Sequence, residues 1–211
     1  GSTRRPKNPG SAADYSDERP HIFTHYFVGA NAAVPAMFES KQKSEMAVER
    51  LKHAAELAVD ISRIQEKKLI VTVTNSGAGH CIPTGVGDLR QVWLEITIQD
   101  GSNTPRFQSG VMGANRELPE NTLIFRTVFG DGKGKPVINL AKAREILTDN
   151  RIKPKETRTL TIDLPQVPAK GDRLRVRLLY RSMPQKLLGM IPGKPLPPLP
   201  VIEMATSEKR L

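Results

Sequence analysis

The sequence predicts a mainly β protein: an immunoglobulin-like antiparallel β-sandwich preceded by an N-terminal α-helix. Three observations carry the prediction. Leu69, Val71 and Val73 alternate with Ile70, Thr72 and Thr74, and Val92, Leu94, Ile96 and Ile98 alternate with Trp93, Glu95, Thr97 and Gln99. That is the period of a strand with one face turned inward. About seven such short segments, separated by Gly and Pro turns, give the strand count of a sandwich. One helical stripe, over 44–64, precedes them.

Residues 1–20 are polar, charged and rich in Pro, Gly and Ser, and read as an arm or linker. Gly1-Ser2 at its start reads as a remnant of cloning, with the chain a piece of a longer polypeptide. Residues 21–66 read as a histidine-containing segment and a helix that pack on the sandwich. The stretch 21–38 (HIFTHYFVGANAAVPAMF) is apolar, yet Gly29 and Pro35 oppose a long helix. From Ser44, a plausible N-cap, Ala47, Leu51, Ala54, Ala58 and Ile61 recur at spacings of four and three and form one apolar face. His53 falls off this stripe and reads as a surface histidine.

The remainder, 67–211, reads as the sandwich. Its strand candidates are 69–74, 92–99, 104–109, 122–128, 157–164, 173–181 and 200–204. Asp100-Gly101 reads as a turn, 131–135 as a hairpin tip, and 139–147 (NLAKAREIL) as a short helix or turn. The run GMIPGKPLPPLP at 189–200 is expected to be extended and polyproline-like.

At 211 residues the chain can bury one core plus a small appendage. The net charge of +10 suits an anionic partner. Arg173, Arg175 and Arg177 alternate with Leu174, Val176 and Leu178, so their charges share one strand face. No aromatics interleave with them, which speaks against nucleic acid. The stripe reads as a solvated sheet face first and as a docking patch for an acidic partner second. No stretch approaches the roughly 18 apolar residues of a membrane span. Cys81 is the single cysteine, which excludes an intrachain disulfide, a zinc–thiolate cluster and a Cys-x-x-Cys-His attachment site. Nucleophile elbow, P-loop, dinucleotide fingerprint and His-Glu-x-x-His helix are all missing, and no enzyme is expected.

The loop NSGAGHCIPTGVGDLRQVW holds the densest information. Gly77 and Gly79 precede His80, and Pro83-Thr84-Gly85 follows. Glycines on both sides of a histidine allow positive φ and close approach to a bulky group. Such a stem can hold an imidazole outward as an axial ligand. The same spacing also fits a plain connection between strands, with His80 bonded to backbone.

Taken together, several pieces resemble the non-haem C-terminal β-sandwich domain of bacterial multihaem c-type cytochromes of the cytochrome c-554-like group. These are His25-Tyr26-Phe27-Val28-Gly29-Ala30-Asn31, Leu69 to Asn75, Gly77-Ala78-Gly79-His80-Cys81-Ile82-Pro83-Thr84-Gly85, Leu89-Arg90-Gln91-Val92-Trp93-Leu94-Glu95, Ser109-Gly110 and Leu178-Leu179-Tyr180-Arg181. They run from about residue 21 to 190.

The resemblance implies a haem-free domain that shields haems and supports electron transfer in a periplasmic or extracellular protein. It implies haem c bound covalently by another part of the full-length protein, with that haem-bearing region and other redox proteins as partners. It also implies His80 and His25 as distal axial ligands, with His21 third, four residues before His25. Two readings stay open beside it. One is a stand-alone copper- or zinc-binding domain using His21, His25 and His80. The other is a structural interaction module with incidental histidines.

Overall fold

The computed structural model describes residues 9–11, 13–22, 28–190 and 196–211. In chain order the strands and helices are β1 (Gly10–Ser11), β2 (Glu18–Arg19), α1 (Ala33–Met37), α2 (Lys41–Lys52), β3 (Glu56–Asp60), β4 (Lys68–Thr74), β5 (Gln91–Gln99) and β6 (Pro105–Ser109). They continue with β7 (Ile124–Phe125), β8 (Thr127–Gly130), β9 (Pro136–Val137), β10 (Glu145–Asp149), β11 (Thr157–Asp163), β12 (Arg173–Arg181) and β13 (Ile202–Arg210). The protein is mainly β, as its alternation predicts.

Two antiparallel sheets form the body. One runs β13-β12-β5-β6, with β7 also pairing β5, and the other runs β11-β4-β3. Their inner faces share one core: Leu69, Val71 and Val73 of β4 face Val92, Leu94, Ile96 and Ile98 of β5 and Leu174, Val176 and Leu178 of β12. Every second residue of these strands is inside, the arrangement of packed sheets with one face solvated or otherwise covered. Ala47 and Leu51 of α2 join the same core, so the helix closes one side of the sandwich. A third sheet, β10-β8-β9, carries the 131–135 hairpin tip. The segment read as an arm includes the small β1–β2 hairpin.

Two elements differ from expectation. The helix predicted over 44–64 stops at Lys52, and Glu56–Asp60 is a strand paired to β4. Leu57 and Val59 point inward while Glu56, Ala58 and Asp60 are exposed. The segment therefore carries both periods. Ala54, Ala58 and Ile61 fit a helix, whereas Ala55, Leu57, Val59 and Ile61 fit a strand. The free edge of β4 decides in favour of the strand, because pairing gives partners to β4 backbone groups that a helix, with its hydrogen bonds internal, would leave open. Ser44 does not cap α2 either. The helix begins after Ser40, and the Ser44 hydroxyl donates to the Ala32 carbonyl at 2.8 Å, tying α2 to α1. In 139–147 only Leu140–Lys142 is a 3-10 turn, with Asn139 Oδ1 accepting from the Ala141 N–H at 3.0 Å, and β10 follows.

The arginine stripe of β12 lies on one outward face, but it is not a bare cationic surface. Arg177 binds Glu95 across the β12–β5 pair, and Arg175 reaches Glu203 at 3.3 Å and Glu208 at 3.1 Å on β13. Acids on both neighbouring strands thus cancel much of the field that a docking patch would need.

Candidate functional site

The loop from Asn75 to Arg90 leaves β4 and is fixed at several points before it reaches β5. Asn75 is fully buried, and its side-chain amide donates to the carbonyls of His80 at 2.8 Å and Ile152 at 3.0 Å. Ile82 and Ile152 exchange two backbone hydrogen bonds of 2.9 Å each, across the sheet-like bridge between them. The loop is held before, at and after His80, so that side chain stands on a fixed stem.

Its glycines act differently from expectation. Neither Gly77 nor Gly79 has positive φ; that conformation falls at Gly85, with φ of 75°. Gly77 serves close approach instead. A Cβ there would lie 1.8 Å from the His53 carbonyl oxygen, and the Gly77 N–H donates to Ala54 at 3.0 Å. Gly77 is thus where the loop rests on the chain just beyond α2.

That contact brings His80 and His53 to one cavity of about 380 Å³. Its apolar walls include Val28, Leu51, Ile82, Val92 and Met204, and Cys81 also lines it, but no Asp or Glu does among the described residues. Both histidines are exposed. The Nδ1 of His80 bonds the Cys81 carbonyl at 3.0 Å, and the Nδ1 of His53 bonds the Glu49 carbonyl at 2.7 Å. A carbonyl only accepts, so each Nδ1 carries the proton, and in the neutral ring Nε2 keeps its lone pair. This is the tautomer in which an imidazole ligates a metal through Nε2.

Arg50 and Tyr180 also line the cavity. Arg50 of α2 spends one N–H on the Val28 carbonyl. Tyr180 is 3 % exposed, and its hydroxyl is closed off from solvent next to the Arg90 side chain. Burial raises its pKa, and the neighbouring Arg90 guanidinium offsets part of that rise.

His53 could not be found from spacing. It stands alone at the end of α2, and only the tertiary contact at Gly77 pairs it with His80. His21 is half-buried on the N-terminal segment and is not among the described residues lining the cavity. His25 lies outside the described residues. Among the described residues no three His, Cys, Asp or Glu side chains converge as a metal site.

Cys81 also borders a second, charged hollow, formed with Asp149, Arg151, Lys153, Glu156 and Arg158. Four of its five charges are paired internally, Arg151 with Asp149 at 2.7 Å and Arg158 with Glu156 at 2.5 Å. The Arg151 hydrogen bond is the main reason the Asp149 carboxyl is lowered to about 2 from an ordinary 3.8. A carboxylate whose folded pKa is depressed contributes stability that is full above its unfolded value and lost as pH falls through the folded one. Asp149→Asn is therefore expected to lower the melting temperature above about pH 4. The difference from the unaltered protein should shrink as pH falls from about 4 towards the folded pKa of about 2 and be lost only below it, and a pH-independent difference would contradict the pairing.

The Leu89–Glu95 motif proves to be a clamp on the fold. Arg90 donates to the Ser182 carbonyl at 2.9 Å, Gln91 accepts from buried Arg181 at 2.8 Å, Trp93 donates to the Gly110 carbonyl at 3.1 Å, and Glu95 accepts from Arg177. Gln91 and Glu95 sit directly opposite Arg181 and Arg177 in the β5–β12 register. Asp88, just before the motif, has both carboxylate oxygens buried without a hydrogen-bond partner.

Fold and site together define a mainly β sandwich that presents an imidazole on a braced loop beside an apolar cavity. No family model matches the chain, and no curated protein sequence does. Among solved structures, a penta-heme cytochrome c552 from Thermochromatium tepidum is similar over 78% of this chain, with a TM-score of 0.60 and 24% identity. The likeness shows that the chain has a fold found in a multihaem cytochrome. It spans 41% of that cytochrome's chain.

Proposed function

We propose that this chain is a haem-free domain of a multihaem c-type cytochrome, supporting electron transfer by shielding haem and offering His80 as a distal axial ligand. The observation that carries the proposal is the His80 imidazole, exposed on a loop pinned by Asn75 and Ile82, with its proton committed at Nδ1. The residues fit a haem's outer face: apolar walls, a nitrogen donor and, among the described residues, no competing carboxylate. They do not fit covalent attachment, which needs two thiols where this chain has one. The haem would accordingly be attached by another part of the same polypeptide, and His25 and His21 remain the further candidate ligands.

When bound, haem supplies the electron-carrying iron; the chain supplies an imidazole, a dry wall and orientation. Were a second imidazole supplied by another part of the polypeptide, the iron would have no open position and the role would be conduction. A periplasmic or extracellular setting follows from c-type haem and is part of the proposal, as are redox proteins as partners.

Titrating the chain with hemin tests this directly. The unaltered protein is expected to give the Soret shift of imidazole-ligated ferric haem. His80→Ala should abolish that shift and weaken binding at least about tenfold, or about 1.4 kcal/mol. His25→Ala, made alongside, reports whether a second imidazole contributes. An unchanged Soret position in His80→Ala would overturn ligation by His80. Tight stoichiometric binding of copper or zinc, without a response to hemin, would favour a metal-binding domain.

A further inference from the structure

We propose that the tip of the third sheet, residues 131–146, docks on an anionic lipid surface, a role independent of the haem reading. The tip belongs to neither buried core: among the described residues, no apolar side chain between 126 and 151 joins either one. Yet Ile138, Leu140 and Ile146 stand 61 %, 47 % and 60 % exposed within it. Register places Val137, Phe129 and Ile146 side by side across β9, β8 and β10, so they share one sheet face. Scattered exposed hydrophobics are ordinary, but several in one short tip mark a surface that meets a partner. Charge chooses that partner. Lys133, Lys135, Lys142 and Arg144 are exposed and form no ion pair among the described residues. The two acids of the tip are turned into its own backbone. Asp131 Oδ1 accepts from the N–H groups of Lys133 at 2.9 Å and Lys135 at 3.2 Å, and Glu145 Oε1 from those of Gly132 at 3.0 Å and Gly134 at 2.8 Å. The cations are thus the charges left free. Lysine heads on flexible stems suit mobile phosphate headgroups, and apolar side chains among them can enter the acyl boundary of a bilayer, which needs no matched shape. Guarding the open sheet edges would account for lysines alone, but not for outward isoleucines. The tip also stands apart from the haem site. Asp149, at the far end of β10 from Glu145, borders the hollow at Cys81, which puts the tip about 13 Å away along the strand.

Co-sedimentation with vesicles tests this, comparing equal parts phosphatidylglycerol and phosphatidylcholine with phosphatidylcholine alone, at about 0.1 M salt, where charges attract only within about 10 Å. The unaltered chain is expected to bind the mixed vesicles at least about tenfold more tightly than the neutral ones. Lys133→Gln, Lys135→Gln and Lys142→Gln, made together, should weaken that binding about tenfold or more. Ile138→Ser with Ile146→Ser should weaken it about tenfold with every charge kept. All five side chains are exposed, so melting temperatures should match that of the unaltered chain, which separates lost binding from lost folding. Arg173→Gln, Lys209→Gln and Arg210→Gln, made together, remove the same charge from β12 and β13 and should cost less than about threefold. A loss as large in that control as in the lysine variant would overturn the proposal, leaving only attraction by the net charge of +10. So would an isoleucine variant that binds like the unaltered chain, or equal binding to the two kinds of vesicle. Binding to neither would overturn it as well, and lysine-dependent binding to poly-glutamate would then put an acidic protein in place of lipid. His80→Ala should leave vesicle binding unchanged, so this proposal and the haem reading fail separately.

Discussion

Gly77→Ala is expected to cost about 1–3 kcal/mol of stability by overpacking and to abolish the His80-dependent Soret shift with hemin. The added methyl would sit 1.8 Å from the His53 carbonyl oxygen and 2.9 Å from its carbon. Both are backbone atoms at the end of a packed helix, so the loop must move and the helix cannot. Its hydrogen bond to Ala54 would go with it, at a further cost of about 1 kcal/mol. The wall that His53, Ala54 and the loop form together would then open. Gly79→Ala is the stability control: a Cβ there meets nothing within 4 Å, and its φ is not in the left-handed region. Its change should stay within about 0.5 kcal/mol. Urea unfolding and hemin titration of the two variants check both halves. If Gly77→Ala unfolds and titrates like Gly79→Ala, the packing of the loop on α2 is not what positions His80.

Much of the fold was legible because alternation and burial are the same fact seen twice. In β4, β5 and β12 the residues that alternate in sequence are the ones that meet in the core, and turns at Asp100-Gly101 and 131–135 fall where local chemistry places them. Legibility failed where two periods coexist. Residues 54–61 satisfy a helix and a strand at once, and only the edge of β4, distant in sequence, selects between them. The same holds for the site. His80 was visible because its glycines and proline surround it locally. His53 was not, because what pairs it with His80 is a contact between residues 53 and 77. Likewise the arginine stripe was visible, but the acids that neutralise it belong to the neighbouring strands β5 and β13.

Trp93→Ala should destabilise the chain by about 3–5 kcal/mol, the range for deleting a large buried aromatic. Trp93 is fully buried and lies on the face of β5 turned away from the sheet-to-sheet core, since Val92 and Leu94 on either side of it point inward. What covers it includes the chain around Gly110, whose carbonyl accepts its indole N–H. Gly110 can make that approach only as glycine. It has φ of 67°, and a Cβ would lie 2.1 Å from the Leu94 carbonyl oxygen. Trp93→Phe keeps most of the burial and loses the hydrogen bond, so it should cost less than Trp93→Ala, though more than the 0.5–1.5 kcal/mol of a typical bond because the smaller ring also leaves a void. Urea unfolding of the two variants gives the split. The pair also separates scaffold from site. Trp93 does not line the His80 cavity, so folded Trp93→Phe should retain the hemin-induced Soret shift of the unaltered chain. If the shift is lost while the fold persists, the Leu89–Glu95 motif reaches the ligand, and its role as a clamp on β12 is incomplete.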